Sequence, residues 1–146
     1  MQSKYWMSQA VDCASGVKEE VPVCALIVKD NELVSRAVNQ TESLNDATAH
    51  AEILAIKEAS RKLDNWRLSD CILYTTLEPC AMCAGAIINS RLKAVVFGAY
   101  DLNAGACGSV VNLFSDLGKE KQIEVIGGIL ELEASKLLKD FFLIRR

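Results

Sequence analysis

Asp46-Ala47-Thr48-Ala49-His50-Ala51-Glu52 and, further along, Leu77-Glu78-Pro79-Cys80-Ala81-Met82-Cys83 are the two stretches around which the chain is organised. His50, Cys80 and Cys83 are soft or borderline metal ligands at zinc spacing, and Glu52 is a carboxylate two positions after the first of them. His50 is also the single histidine of the chain. A catalytic zinc takes three protein ligands and leaves a fourth position to water, whereas a structural zinc closes all four. Three ligands beside a spare carboxylate are the catalytic count. Water on such a metal has its pKa lowered towards about 7, and Glu52 is placed to take and return its proton.

Spacing also says where these residues sit. Cys80 and Cys83 fall on one face of a helix's first turn, where the N-terminal partial positive charge favours thiolate. Pro79 suits such a start. His50 and Glu52 stand where an apolar run of helical period begins, through Ile53, Leu54, Ile56 and Ala59. Two helix N-termini are therefore expected to converge on one metal, with Thr48 or Asp46 as candidate cap of the first. The bland alternatives are a closed structural zinc site, or a core histidine with two packing cysteines. A closed site wants a fourth Cys or His, and Cys13, Cys24, Cys71 and Cys107 lack the paired spacing such sites show. Cys107 is the one whose loop is a candidate to lie near the metal.

Outward from these stretches, a helical stripe at Trp6, Met7, Ala10, Val11 and Ala14 occupies residues 5–17 and ends at Gly16. A continuous apolar run over 21–28 and an alternating one over 32–39, joined by Asp30-Asn31, read as a β-hairpin. The polar segment 40–47 is a loop that feeds the metal site. Strand 71–76, helix 80–90 and strand 94–98 make a βαβ unit. Glu78-Pro79-Cys80 then lies beyond a strand's carboxyl end, where sites form in open α/β sheets. Residues 100–109 read as a loop of small residues, 110–114 as a short helix and 123–125 as a last strand. Residues 129–144 close the chain as an amphipathic helix with Leu130, Ala134, Leu137, Leu138, Phe141 and Ile144 inward. The order αββαβαβ(α)βα predicts an α/β fold, a three-layer α/β/α domain around a mixed sheet of about five strands. Residues 1–146 read as one domain, without internal repeat or linker.

Composition bounds the partners. At 51% hydrophobic and 24% charged the chain reads as globular. No apolar run approaches membrane-spanning length, and Met1-Gln2-Ser3-Lys4-Tyr5-Trp6 lacks a signal-peptide core, so a soluble cytoplasmic protein with no membrane partner is expected. In that compartment Cys13, Cys24, Cys71 and Cys107 read as buried thiols. A formal net charge of -3 predicts no RNA partner, because phosphate binding rests on Lys and Arg. Arg61-Lys62, Arg91 with Lys93, and Lys136, Lys139, Arg145 and Arg146 read, on composition alone, as solvated helix faces.

His50-Ala51-Glu52 with Pro79-Cys80-Ala81-Met82-Cys83 resembles the zinc-dependent cytidine/deoxycytidylate deaminase superfamily. Within it the chain is similar to the tRNA-specific adenosine deaminases. Glu20-Val21-Pro22-Val23, residues 46–52 and 73–90, Val95-Val96-Phe97-Gly98-Ala99, Asp101, Gly105-Ala106-Cys107-Gly108-Ser109, Asp140-Phe141-Phe142 and Arg145-Arg146 carry that likeness over nearly the whole chain. The resemblance implies a cytidine-deaminase-like fold, one Zn2+ per subunit on His50, Cys80 and Cys83, and Glu52 as proton shuttle. The implied reaction is hydrolytic deamination of adenosine to inosine at the first anticodon position of a tRNA, with the base flipped into the pocket. It further implies that Asn39, Ala51 and Asp101 contact the nucleotide, that Phe141, Phe142 and Arg145 touch the anticodon stem-loop, and that the enzyme is a homodimer. Cys24, Ala47 and Asn103 depart from the family's usual glycine, proline and frequent lysine. Two rivals remain: a free nucleobase or nucleoside deaminase acting on guanine, cytosine or cytidine, and a non-catalytic zinc-stabilised RNA-binding module.

Overall fold

Asp30 and Asn31 take up φ of 51° and 59°, the left-handed pair that closes a two-residue hairpin, and short polar side chains tolerate it. They join β1 (Cys24–Lys29) to β2 (Glu32–Val38) in the structure, a computed structural model describing residues 2–117 and 122–144. Before the hairpin comes α1 (Ser3–Ser15); after it come α2 (Ala51–Leu63), β3 (Cys71–Leu77), α3 (Ala81–Asn89) and β4 (Ala94–Ala99). A short α4 (Leu113–Asp116), β5 (Glu124–Ile126) and α5 (Glu131–Ile144) follow. The sheet runs β2-β1-β3-β4-β5, antiparallel across β2, β1 and β3 and parallel from β3 through β4 to β5. The mixed five-stranded sheet and the element order are those the sequence predicts.

Central strands buried on both faces lose the alternation of a half-exposed strand, which is why 24–28 and 94–99 are continuously apolar. On one face α2 and α3 pack Ala51, Ala55, Ala59, Ala84, Ile87 and Ile88 against Ala25, Ile27, Leu73 and Val95. On the other, α1 contributes Trp6, Met7, Ala10 and Ala14 against Leu26, Val28, Tyr74 and Val96, with Leu137 of α5 beside them. The result is a three-layer α/β/α sandwich. Cys24 is fully buried in this second layer.

Three local expectations need correction. The first strand begins at Cys24, not residue 21, because Pro22 has no N–H to give a ladder and Val23 pairs only through its carbonyl, which accepts from Asn39 N at 3.1 Å. Neither Thr48 nor Asp46 caps α2: the Asp46 carboxylate accepts from Thr48 N at 2.8 Å and Thr48 Oγ1 at 2.7 Å, organising the turn ahead of it. Ile144 is 78% exposed rather than inward. α5 is clamped most tightly near its start, where a Cβ on Gly98 would stand 2.8 Å from the Ala134 methyl; Leu137 and Leu138 are partly buried against the cores, and the last residues, Phe142 to Ile144, run to the surface.

Candidate metal centre and its pocket

His50 and Cys80 are the N-cap residues of α2 and α3, both extended, at φ -72°, ψ 150° and φ -75°, ψ 177°. Neither side chain caps its own helix. Each carbonyl starts the helix instead, accepting from Leu54 N at 3.1 Å and Ala84 N at 2.8 Å, which leaves the imidazole and the thiol free to face one another. His50 Nδ1 lies 3.6 Å from Cys80 Sγ and 3.5 Å from Cys83 Sγ. Tetrahedral zinc with Zn–S of about 2.3 Å and Zn–N of about 2.05 Å sets neighbouring S and N about 3.6 Å apart. The three residues therefore fit zinc in spacing and in donor type. All three ligand atoms lie within 4.8 Å of one another, and among the described residues no fourth His, Cys, Asp or Glu joins them. The open-cornered count expected from sequence is the one found.

Electrostatics at the helix starts favour a thiolate. The Cys80 thiol is pushed down to about 5, chiefly by hydrogen bonding with Cys83, with further help from the backbone N–H groups of Cys83 and Met82 and from His50. Cys83, fully buried, is pushed up as the proton-holding partner of the pair. Cys107, whose loop does approach, stays neutral: burial and the charge of Glu78 push its thiol up to about 12. Glu52, on the first turn of α2, is 4% exposed, and desolvation raises its carboxyl to about 7 despite its own backbone N–H and the neighbouring His50. A carboxyl of that affinity can both accept and release a proton near neutrality.

The metal trio opens into a cavity of about 270 Å³. Asn39, Ala51, Glu52 and Asp101 line it with His50 and Cys80, joined by Val21, Val23, Thr41, Leu77, Glu78 and Ala104. Phe141 is elsewhere, half-buried in a groove with Glu20, Val21, Thr41 and Ser43 that shares Val21 and Thr41 with the cavity. Phe142 is 54% exposed on the outer face of α5, and Arg145 lies outside the described residues.

Residues 1–99 match the family model of the cytidine and deoxycytidylate deaminase zinc-binding region. The chain belongs to this deaminase family. It is 43% identical over 143 residues to the tRNA-specific adenosine deaminase of Bacillus subtilis (strain 168), covering 97% of this chain and 89% of that one. With the tRNA-specific adenosine deaminase of Aquifex aeolicus (strain VF5) it shares 48% identity over 125 residues, 86% of this chain and 82% of the other. A solved chain from structural studies of A-to-I editing by tRNA:A34 deaminases superposes with a TM-score of 0.86 at 40% identity, covering 92% of this chain and 99% of that chain.

Two carboxylates of this deaminase were not singled out as site residues from sequence. Glu78, 1% exposed, accepts from Asp101 N at 3.0 Å, Cys107 N at 3.0 Å, Ser109 N at 3.1 Å and the Ser109 hydroxyl. Glu20, 7% exposed, accepts from Glu42 N at 3.0 Å, Ser43 N at 2.7 Å and Thr41 Oγ1 at 3.5 Å. No periodicity marks a carboxylate whose partners are loop N–H groups, so only the quoted motifs around them were a signal. Gly105 is fixed by the same packing, since a Cβ there would collide with the Glu78 carboxyl and the Asp101 carbonyl. Gly105→Ala is expected to destabilise the fold by about 1–3 kcal/mol, read as a lowered Tm. Glu20 is held below its ordinary 4.5 by the backbone N–H of Glu42 first, outweighing burial. A group so lowered contributes stability in full above its unfolded value and loses it as pH falls through the folded one. Acidification below pH 4.5 should therefore lower Tm less in Glu20→Gln than in the wild type.

Proposed function

We propose that the protein hydrolytically deaminates adenosine to inosine at the first anticodon position of a tRNA. The observation that carries this is Glu52, a buried carboxylate beside three zinc-competent ligands on the wall of a cavity of about 270 Å³. At about 270 Å³ the cavity lies at the small end of ligand pockets, which run from ~300 Å³ upward. The tRNA-specific adenosine deaminases it resembles over most of its length supply the choice of adenosine and of tRNA.

When bound, zinc supplies an acidified water and electrostatic stabilisation of the developing charge. Glu52 takes one proton from the water and delivers it to N1 of the ring as oxygen adds to C6, then takes the proton of the new C6 hydroxyl and passes it to the departing amine, so that ammonia leaves and the C6 carbonyl remains. Asn39 and the backbone of Ala51 orient the base, and Asp101 borders the ribose. The Asp101 carboxylate also accepts from Asn103 N at 3.0 Å and Ala104 N at 3.1 Å, which fixes its loop. Phe141 lines the groove that continues from the pocket, exposed Phe142 would meet the anticodon loop, and Arg145 is assigned to that loop by the family resemblance alone. Leu102 (80% exposed), Val110 (53%) and Leu117 (64%), after β4, are apolar side chains that a second copy of the chain would cover in the homodimer the family resemblance implies. The reaction would take place in the cytoplasm, with its tRNA.

Zinc-loaded protein is incubated with an anticodon stem-loop carrying adenosine at its first anticodon position, and in parallel with free adenosine, cytidine and guanine. Inosine is expected from the stem-loop, with binding that weakens steeply as salt is added. Faster turnover of free guanine or cytidine would overturn the tRNA assignment, and binding without ammonia release would favour a silent RNA-binding module.

A further inference from the structure

We propose that Glu20 and Glu78 are positioning residues, each tethering one of the two loops that rim the pocket so that the groups meeting the base are held in place. The proposal rests on the deaminase reading above and adds to it the parts that shape the pocket.

Both oxygens of each carboxylate are already taken. Glu78 Oε1 accepts from Asp101 N and the Ser109 hydroxyl, and its Oε2 accepts from Cys107 N and Ser109 N. Glu20 Oε1 serves Glu42 N and Thr41 Oγ1, and its Oε2 serves Ser43 N. Glu78 borders the cavity with all four acceptor sites filled, and Glu20, with three filled, lies outside the cavity lining. What they hold are the segments that supply its lining: Thr41, next to Asn39, on one loop, and Asp101 and Ala104 on the other. Asn39 is joined to the first loop as well, its Oδ1 accepting from Thr41 N and its Nδ2 donating to the Val21 carbonyl, both at 3.4 Å. Bonds that long orient a carboxamide weakly. The stronger tether of that loop is Glu20.

The arrangement suits loops without ladders of their own. In residues 101–109 the N–H groups of Gly105, Ala106 and Gly108 reach backbone carbonyls and those of Asn103 and Ala104 reach the Asp101 carboxylate, which leaves Asp101, Cys107 and Ser109 to Glu78, and an ionised carboxylate is a strong acceptor for them. Glu78 immediately precedes Pro79 and Cys80, so the metal-ligand turn and the wall bearing Asp101 share one anchor. Gln in either position keeps the volume but turns an N–H2 group towards donors, leaving one oxygen's partners without an acceptor.

The test compares zinc-loaded wild type with Glu78→Gln, Glu20→Gln and the milder Ser109→Ala, which removes only the hydroxyl donor. Amide hydrogen exchange, zinc content and steady-state kinetics on the stem-loop are measured for each. Glu78→Gln is expected to speed exchange in residues 101–109 and leave 41–43 unchanged, and Glu20→Gln to do the reverse. Both should raise KM roughly tenfold or more, the effect of losing a charged hydrogen-bond partner, with kcat within about threefold. Ser109→Ala should shift KM the same way by less. Should Glu78→Gln fail to fold, Ser109→Ala and Glu20→Gln carry the test. Loss of zinc, faster exchange throughout α2 and α3, or equal KM in variant and wild type would overturn the proposal. If wild type fails on the stem-loop while loop exchange still responds locally, the functional reading falls and the tethers stand.

Discussion

Glu52→Gln is expected to keep zinc bound and to lower kcat by about two to four powers of ten, the span that a positioned proton carrier contributes. The carboxamide fills the same 4% exposed niche, so packing around the metal is preserved. What it loses is the capacity to carry a proton between water, ring nitrogen and leaving amine. The substrate contacts proposed for Asn39, Ala51 and Asp101 are untouched, so KM should stay within about threefold, as for an interaction used only on the way to the transition state. Stability should move the other way. A carboxyl raised to about 7 by desolvation is held in a place unfavourable to its charge, and a neutral isostere removes that cost, so Tm is expected to be unchanged or higher. Zinc analysis, calorimetry and inosine formation check the three statements together. Turnover within tenfold of wild type would remove Glu52 from the reaction.

The residues that sequence placed well are those whose position follows from spacing along one element. His50 and Cys80 start helices whose apolar periods are legible, and Cys83 is one turn on, so convergence of the ligands needed only the order of the strands. Asp30-Asn31 announced its turn by chemistry. The losses were of another kind. A continuous apolar run gave no sign that Pro22 and Val23 lie outside the ladder, and α5 carries enough apolar side chains that its period alone did not tell Ala134, pressed on Gly98, from Ile144 in solvent. Glu20 and Glu78 were invisible as tethers because their partners are backbone N–H groups far along the chain, which no side-chain pattern encodes. A charge of -3 argues against nucleic acid only as a sum over the whole surface, and recognition at one pocket does not depend on that sum.

Cys83→Ala should abolish both zinc binding and turnover, because two remaining ligands, His50 Nδ1 and Cys80 Sγ at 3.6 Å, cannot hold the ion in a site that begins with only three. The consequence for the fold is also large. His50 and Cys80 start α2 and α3, so a bound ion would link the two helices of one layer, and a ligand bound only to the native state at a thousand times its Kd adds about 4 kcal/mol. For a chain of this length that is about 10 °C in Tm. Wild type stripped by a chelator should fall by roughly that amount and regain it with Zn2+, whereas Mg2+, which wants oxygen ligands, should restore neither Tm nor activity. Cys83→Ala should melt like stripped wild type and ignore added zinc, since it lacks the means to bind it. A stripped wild type that melts unchanged would show that the two helix starts meet through packing alone, and turnover surviving the chelator would remove the metal from the chemistry.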